Sequence, residues 1–143
     1  MKIKKYLLTD TAPNLGLLIM RMGIGLMFII HGYPKIMAGP GLWEMLGGQM
    51  GMLGIHFGLT FWGFMAAFAE AFGGLFLLLG LFTRPAAFLM LFTMMMAALM
   101  HLGKGDGLEG ASHAIELGIV FLGILIAGAG KYSLDRVLFW KRK

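Results

Sequence analysis

The chain contains no cysteine. Disulfide frameworks, thiolate metal sites and thiol redox couples are therefore excluded, and any redox role needs a bound cofactor or a partner. Charge is scarce too: Asp, Glu, Lys and Arg make up 13% of the 143 residues, against 59% hydrophobic residues and a mean hydropathy of +0.82. That balance excludes an ordinary soluble domain. The apolar residues also do not alternate with polar ones in segments of about ten, so a transmembrane β-barrel is excluded in favour of helices.

What is present is a set of long apolar runs. A helix rises ~1.5 Å per residue and needs roughly 17 to 25 residues to cross the ~30 Å hydrocarbon core. Four stretches meet that length, at about 14–33, 58–82, 85–102 and 113–130. The fold expected is an all-α membrane protein: a single domain over residues 1–143 built as a four-transmembrane-helix bundle. MKIKK at the N-terminus is followed by YLLTDTAPN, which interrupts a secretory h-region before it forms, so the first span is expected to stay as an anchor.

The formal net charge of +5 points to neither nucleic acid nor an acidic substrate once the spans are drawn. Lys2, Lys4, Lys5, Arg84, Lys131, Arg136, Lys141, Arg142 and Lys143 fall on one side, against Lys35 and Lys104 on the other. Nine against two is a positive-inside pattern, which predicts cytoplasmic N- and C-termini in a cell inner membrane or plasma membrane. The tail 131–143, with Tyr132, Trp140 and a basic end, reads as a cytoplasmic interfacial anchor. Between the first two spans, PGLWEMLGGQMGML is too broken by glycine to cross and is expected to lie flat in the outer interface as a lid.

Ionisable residues inside the spans carry the functional expectations. A charge at mid-membrane costs about 2.5 to 3.5 kcal/mol, so such residues usually turn inward and pair. Arg21 lies roughly 10 Å and Glu70 roughly 18 Å from the cytoplasmic ends of their helices, close enough for a predicted salt bridge. His31, His101, His113 and Glu116 fall together at roughly 21 to 26 Å, giving a polar layer contributed by three helices. Small residues share the faces of these groups: Ala66 and Gly74 with Glu70, Thr93 and Ala97 with His101, and Gly123 and Ala127 with His113 and Glu116. Lys35, one turn beyond His31 and after a helix break expected at Gly32 and Pro34, caps the outer mouth. The 14 methionines are spread over all helix faces and read as flexible packing, and no metal site is assigned.

With these residues in view the sequence resembles the DoxX family of small four-helix membrane proteins. The matching features are Arg21, HGYPK from His31, AEAFGGLFLLLGLFTR from Ala69 to Arg84, His101, Glu116 and GAGKYSLD from Gly128 to Asp135. The resemblance implies a membrane subunit linked to quinone chemistry, sulfur redox or oxidative-stress resistance; if enzymatic, it would be an oxidoreductase subunit. On that reading His31, His101, His113 and Glu116 are the expected catalytic head-group site for a quinone, while Arg21, Lys35 and Glu70 bind and stabilise charge. Haem b held by two of the histidines is the weaker cofactor alternative. Two other functions stay open: a non-catalytic scaffold that anchors a soluble redox enzyme, and a small-solute transporter. The expected partners are the lipid bilayer together with a partner protein or a second copy.

Overall fold

The structure, a computed structural model, describes residues 11–139. Its element order is α1 (Thr11–Ala38), α2 (Pro40–Gly47), a 3-10 turn (Gly48–Leu53), α3 (Leu59–Leu79), α4 (Thr83–Lys104), α5 (Gly107–Ala127) and α6 (Leu134–Phe139). Among the described residues there is no strand. Four helices, α1, α3, α4 and α5, are long and apolar enough to cross a bilayer. They run up, down, up and down between two ends, marked here by Arg84 and by Lys35. Tyr132 and Lys131 lie within the described residues at the Arg84 end, whereas the predicted anchor residues 140–143 lie outside them.

Turn chemistry sets the helix ends. Gly80 and Gly105, at φ 65° and 83°, end α3 and α4. In each case the glycine and the residue after it donate back into the last turn: Gly80 N to Leu77 O with Leu81 N to Phe76 O, and Gly105 N to Leu102 O with Asp106 N to His101 O. This double bond pattern is the Schellman closure, and glycine meets its left-handed requirement without steric penalty. The spans accordingly begin and end differently from the apolar runs, because capping groups rather than hydropathy fix the termini.

α1 is the longest element and continues through Pro34. The break expected at Gly32 and Pro34 does not occur. Proline removes one backbone donor, but α1 here is held against α3, and tertiary packing outweighs the lost bond. A Cβ at Gly32 would strike the backbone of Ala71, and the backbones of Gly25 and Gly74 meet in the same way. Such close approach is how membrane helices gain van der Waals contact. Gly32→Leu should therefore force α1 and α3 apart, lowering stability by roughly 1 to 3 kcal/mol, read as a lower thermal midpoint in detergent. Gly16→Leu, where nothing stands within 4 Å, should leave the midpoint unchanged.

α2, in the segment expected to form the lid, packs against α3. Cβ atoms at Gly47 and Gly63 would collide with the backbones of Leu59 and Trp43, so α2 lies directly on the start of α3. Trp43 packs edge-on to Phe64 at 5.0 Å, and its indole Nε1 donates to the Lys35 carbonyl at 2.8 Å, satisfying a free acceptor at the end of α1. The apolar core occupies the half of the bundle nearer Arg84, where Phe28, Leu77, Met90, Phe121 and Ile124 are buried. Phe28 and Phe121 meet edge-on at 5.1 Å and join α1 to α5. The other half of the bundle is not filled.

Candidate functional site: an ion pair in the wall of an apolar cavity

Between the halves of α3 and α4 nearer Lys35, beneath the lid, lies a cavity of about 470 Å³. Its walls are mainly apolar: Trp62, Met65, Ala66 and Ala69 of α3 face Phe92, Met96, Ala97 and Met100 of α4, with Leu46 and Met50 of the lid above. Lys35, Glu70, Gln49 and Thr93 supply its polar atoms. The Thr93 hydroxyl is committed to Leu89 O within its own helix at 3.0 Å. The distinctive polar feature of the wall is the ion pair of Lys35 and Glu70.

Lys35 Nζ donates to both Glu70 oxygens, at 2.7 Å to Oε1 and 2.5 Å to Oε2. The lysine side chain is 34% exposed and the glutamate 7%. Sequence order explains the pairing. Gly32 seats α1 on α3 beside Glu70 and Ala71, and Lys35 follows one turn later on the same face. Helical side chains lean towards the N-terminus of their own helix. In antiparallel α1 and α3, Lys35 therefore leans into the bundle and Glu70 leans up to meet it.

The same rule corrects the predicted Arg21–Glu70 bridge. Arg21 leans the opposite way, towards the Arg84 end, and sits level with Leu77, about 10 Å along α3 from Glu70. It is fully buried, as expected of an inward charge, yet its partners are carbonyls: Nη1 donates to Leu77 O at 2.8 Å and Nη2 to Tyr132 O at 2.7 Å. Arg21 thus ties α1, the end of α3 and the chain after α5 into one joint. The GAGKYSLD segment completes that joint. Asp135 accepts from Phe82 N at 2.7 Å and Thr83 N at 3.0 Å, capping the start of α4, and its own N–H donates to Gly80 O. Asn14 Oδ1 accepts from Lys131 N at 2.5 Å, and the Ser133 hydroxyl donates to Gly130 O.

The predicted polar layer does not assemble. His31, His113 and Glu116 are exposed on the outer faces of α1 and α5, turned away from the bundle interior. His101 is half-buried and its Nδ1 lies 2.7 Å from Asp106 Oδ2 in the turn between α4 and α5. Equal depth placed these residues at one height but could not place them on one side. The small-residue faces of α3 and α4 fare better, since Ala66, Glu70, Thr93 and Ala97 all line the cavity. Depth arithmetic missed the Lys35–Glu70 pair because it measured Cα positions and left out side-chain direction. HG-x-x-K carried the signal, with the glycine as contact point and the lysine one turn on. Among the described residues no group of three or more His, Cys, Asp or Glu could hold a metal ion.

Four membrane-length apolar helices define the class: a small integral membrane bundle. The chain belongs to the DoxX family, whose model matches residues 16–102, from α1 almost to the end of α4. Three bacterial relatives extend the likeness. One named inner membrane protein YphA, from Escherichia coli K12, is 31% identical over 95% of this chain and 99% of its own. Another from the same organism, inner membrane protein YqjF, is 32% identical over 87% of this chain and 93% of its own. An uncharacterized Haemophilus influenzae protein is 34% identical over 85% and 90% respectively. No solved structure matches.

Proposed function

We propose that the protein is a quinone-interacting subunit of a membrane redox or oxidative-stress system, with the quinone ring seated in the cavity beneath the lid. The observation that carries this reading is a single ion pair, Lys35 and Glu70, in the wall of a mainly apolar cavity. Small-molecule sites typically have 300 to 1,000 Å³ of mostly apolar lining with a few converging polar groups. A cavity of about 470 Å³ lined by Trp62, Phe92 and four methionines suits a flat, lipid-soluble ring. Lys35 Nζ donates a hydrogen bond to a ring carbonyl, and Glu70 holds the lysine in place and exchanges a proton with it. Reduction of a quinone to a quinol takes two electrons and two protons. Without cysteine the electrons come from a partner redox protein or a bound cofactor, and the ion pair passes the protons one at a time, the partly exposed Lys35 regaining its proton from water at the cavity mouth between the two transfers. The bundle sits in an inner membrane as the named relatives do, with the Arg84 end and both termini in the cytoplasm.

Trp62 lines the cavity, so intrinsic fluorescence reports occupancy directly. A short-chain quinone titrated into detergent-solubilised protein should quench fluorescence saturably. Trp62→Phe should remove most of that quench. Ala97→Phe, which fills the cavity, and Lys35→Met should each weaken binding tenfold or more. Linear, unsaturable quenching that is the same in all four proteins would sink the proposal. The scaffold reading draws on a different observation: exposed Arg84, Lys131 and Arg136 ring an open cleft at the other end of the bundle. It becomes the better account if a soluble enzyme co-purifies with Ala97→Phe as well as with the wild type while no quinone binds.

A further inference from the structure

Glu116 is the tenth of the 21 residues of α5, about 14 Å in from its first residue. Two residues on, Gly118 lies against Leu91 and Met94 of α4, each 3.8 Å from where its Cβ would stand. This places Glu116 level with the middle of that helix, far from either end of the two spans. Yet Glu116 is exposed, on the face of α5 opposite buried Phe121 and Gly118, and among the described residues it has no hydrogen-bond or ion-pair partner. His113, one turn towards the Lys35 end on the same side, is exposed and unpartnered as well. A carboxylate facing lipid at this depth is costly, and such groups normally face protein. A protein cover on this face would remove that cost.

We propose that α5 is the interface of a homodimer, with Glu116 of each copy meeting His113 of the other. The face is complementary to itself. Two copies inserted in the same orientation are related by a two-fold axis along the membrane normal, which sets their α5 helices parallel and each residue level with its counterpart. Glu116 and the other copy's His113 are offset by three residues, ~4.5 Å along the axis, a gap their side chains can span, and the symmetry makes that contact twice. Towards the Arg84 end of the same face, Gly123 and Ala127 are exposed and four residues apart, and a Cβ at Gly123 would meet nothing within 4 Å. That spacing of small residues lets two membrane helices approach backbone to backbone, which brings Glu116 and His113 of the two copies within reach.

The natural absence of cysteine makes the test clean. Single-cysteine variants Gly123→Cys and Ala127→Cys of the full chain, oxidised in native membranes with copper phenanthroline, should give a covalent species of twice 15.6 kDa. Gly23→Cys, on the outer face of α1 with equally open surroundings, should give none. Adding Glu116→Ala to the Ala127→Cys chain should cut the cross-linked fraction at least threefold. The added side chains meet open space, so folding is not at issue, and native mass spectrometry of the wild type gives an independent count of copies. Failure of both α5 positions to cross-link, equal cross-linking at Gly23, an adduct carrying the mass of a different protein, or a dimer indifferent to Glu116→Ala would each overturn the proposal.

Discussion

Lys35→Met is expected to destabilise the bundle more than Glu70→Leu, although each removes one half of the same ion pair. Taking away the lysine leaves a carboxylate that is only 7% exposed, with no countercharge in an apolar wall. Breaking a buried pair in this way costs about 3 to 5 kcal/mol. Taking away the glutamate leaves a lysine that is 34% exposed, and its flexible stem can carry the ammonium towards the mouth of the cavity. That change should cost only about 1 to 2 kcal/mol. The double variant Lys35→Met/Glu70→Leu, which leaves no orphan charge, should recover most of the loss while losing quinone binding. Thermal unfolding in detergent across the four proteins measures the order. Equal losses in the two single variants, or a double variant as unstable as Lys35→Met, would show that the pair does not govern stability in this way.

Arg21→Leu should be comparably damaging for a different reason. The guanidinium makes two charge-assisted hydrogen bonds to carbonyls on separate segments, each worth about 1.5 to 3 kcal/mol, while removing a buried charge returns part of its desolvation cost. A net loss of about 2 to 4 kcal/mol is expected. Arg21→Lys should rescue little of it, because a compact ammonium cannot span Leu77 O and Tyr132 O as the planar fork does. The change should also free the segment after α5, so proteolysis near Tyr132 should quicken in both variants while the quinone affinity stays close to that of the wild type. Full rescue by lysine would mean that charge alone, and not the geometry of the fork, holds the joint together.

These two sites illustrate what could be read in advance. That Arg21 and Glu70 are buried followed from the cost of charge in hydrocarbon, and both are. Their partners did not follow, because pairing depends on which way a side chain leans from its helix and on which helices run antiparallel. The lid was legible in the glycine-broken segment after α1, as was its tryptophan, but not the direct seating of Gly47 and Gly63 that closes it over a cavity. The GAGKYSLD segment stood out as a family pattern. Its work, capping α4 with Asp135 and offering Tyr132 O to Arg21, involves groups more than fifty residues apart and is visible only once the chain is folded.

The sequence by itself determined that this is a membrane protein of four helices, since length and hydropathy suffice to dictate a spanning helix in a solvent that satisfies no backbone group. It also determined which residues are anomalous in lipid. Only the tertiary structure decided what those residues face: Glu70 a lysine, Arg21 two carbonyls, His31, His113 and Glu116 the outside of the bundle. The reason is geometric. Hydrophobicity fixes depth along the membrane normal, whereas rotation about each helix axis is fixed by the close contacts of a few glycines with their neighbours, and those contacts are set between helices, not along the chain.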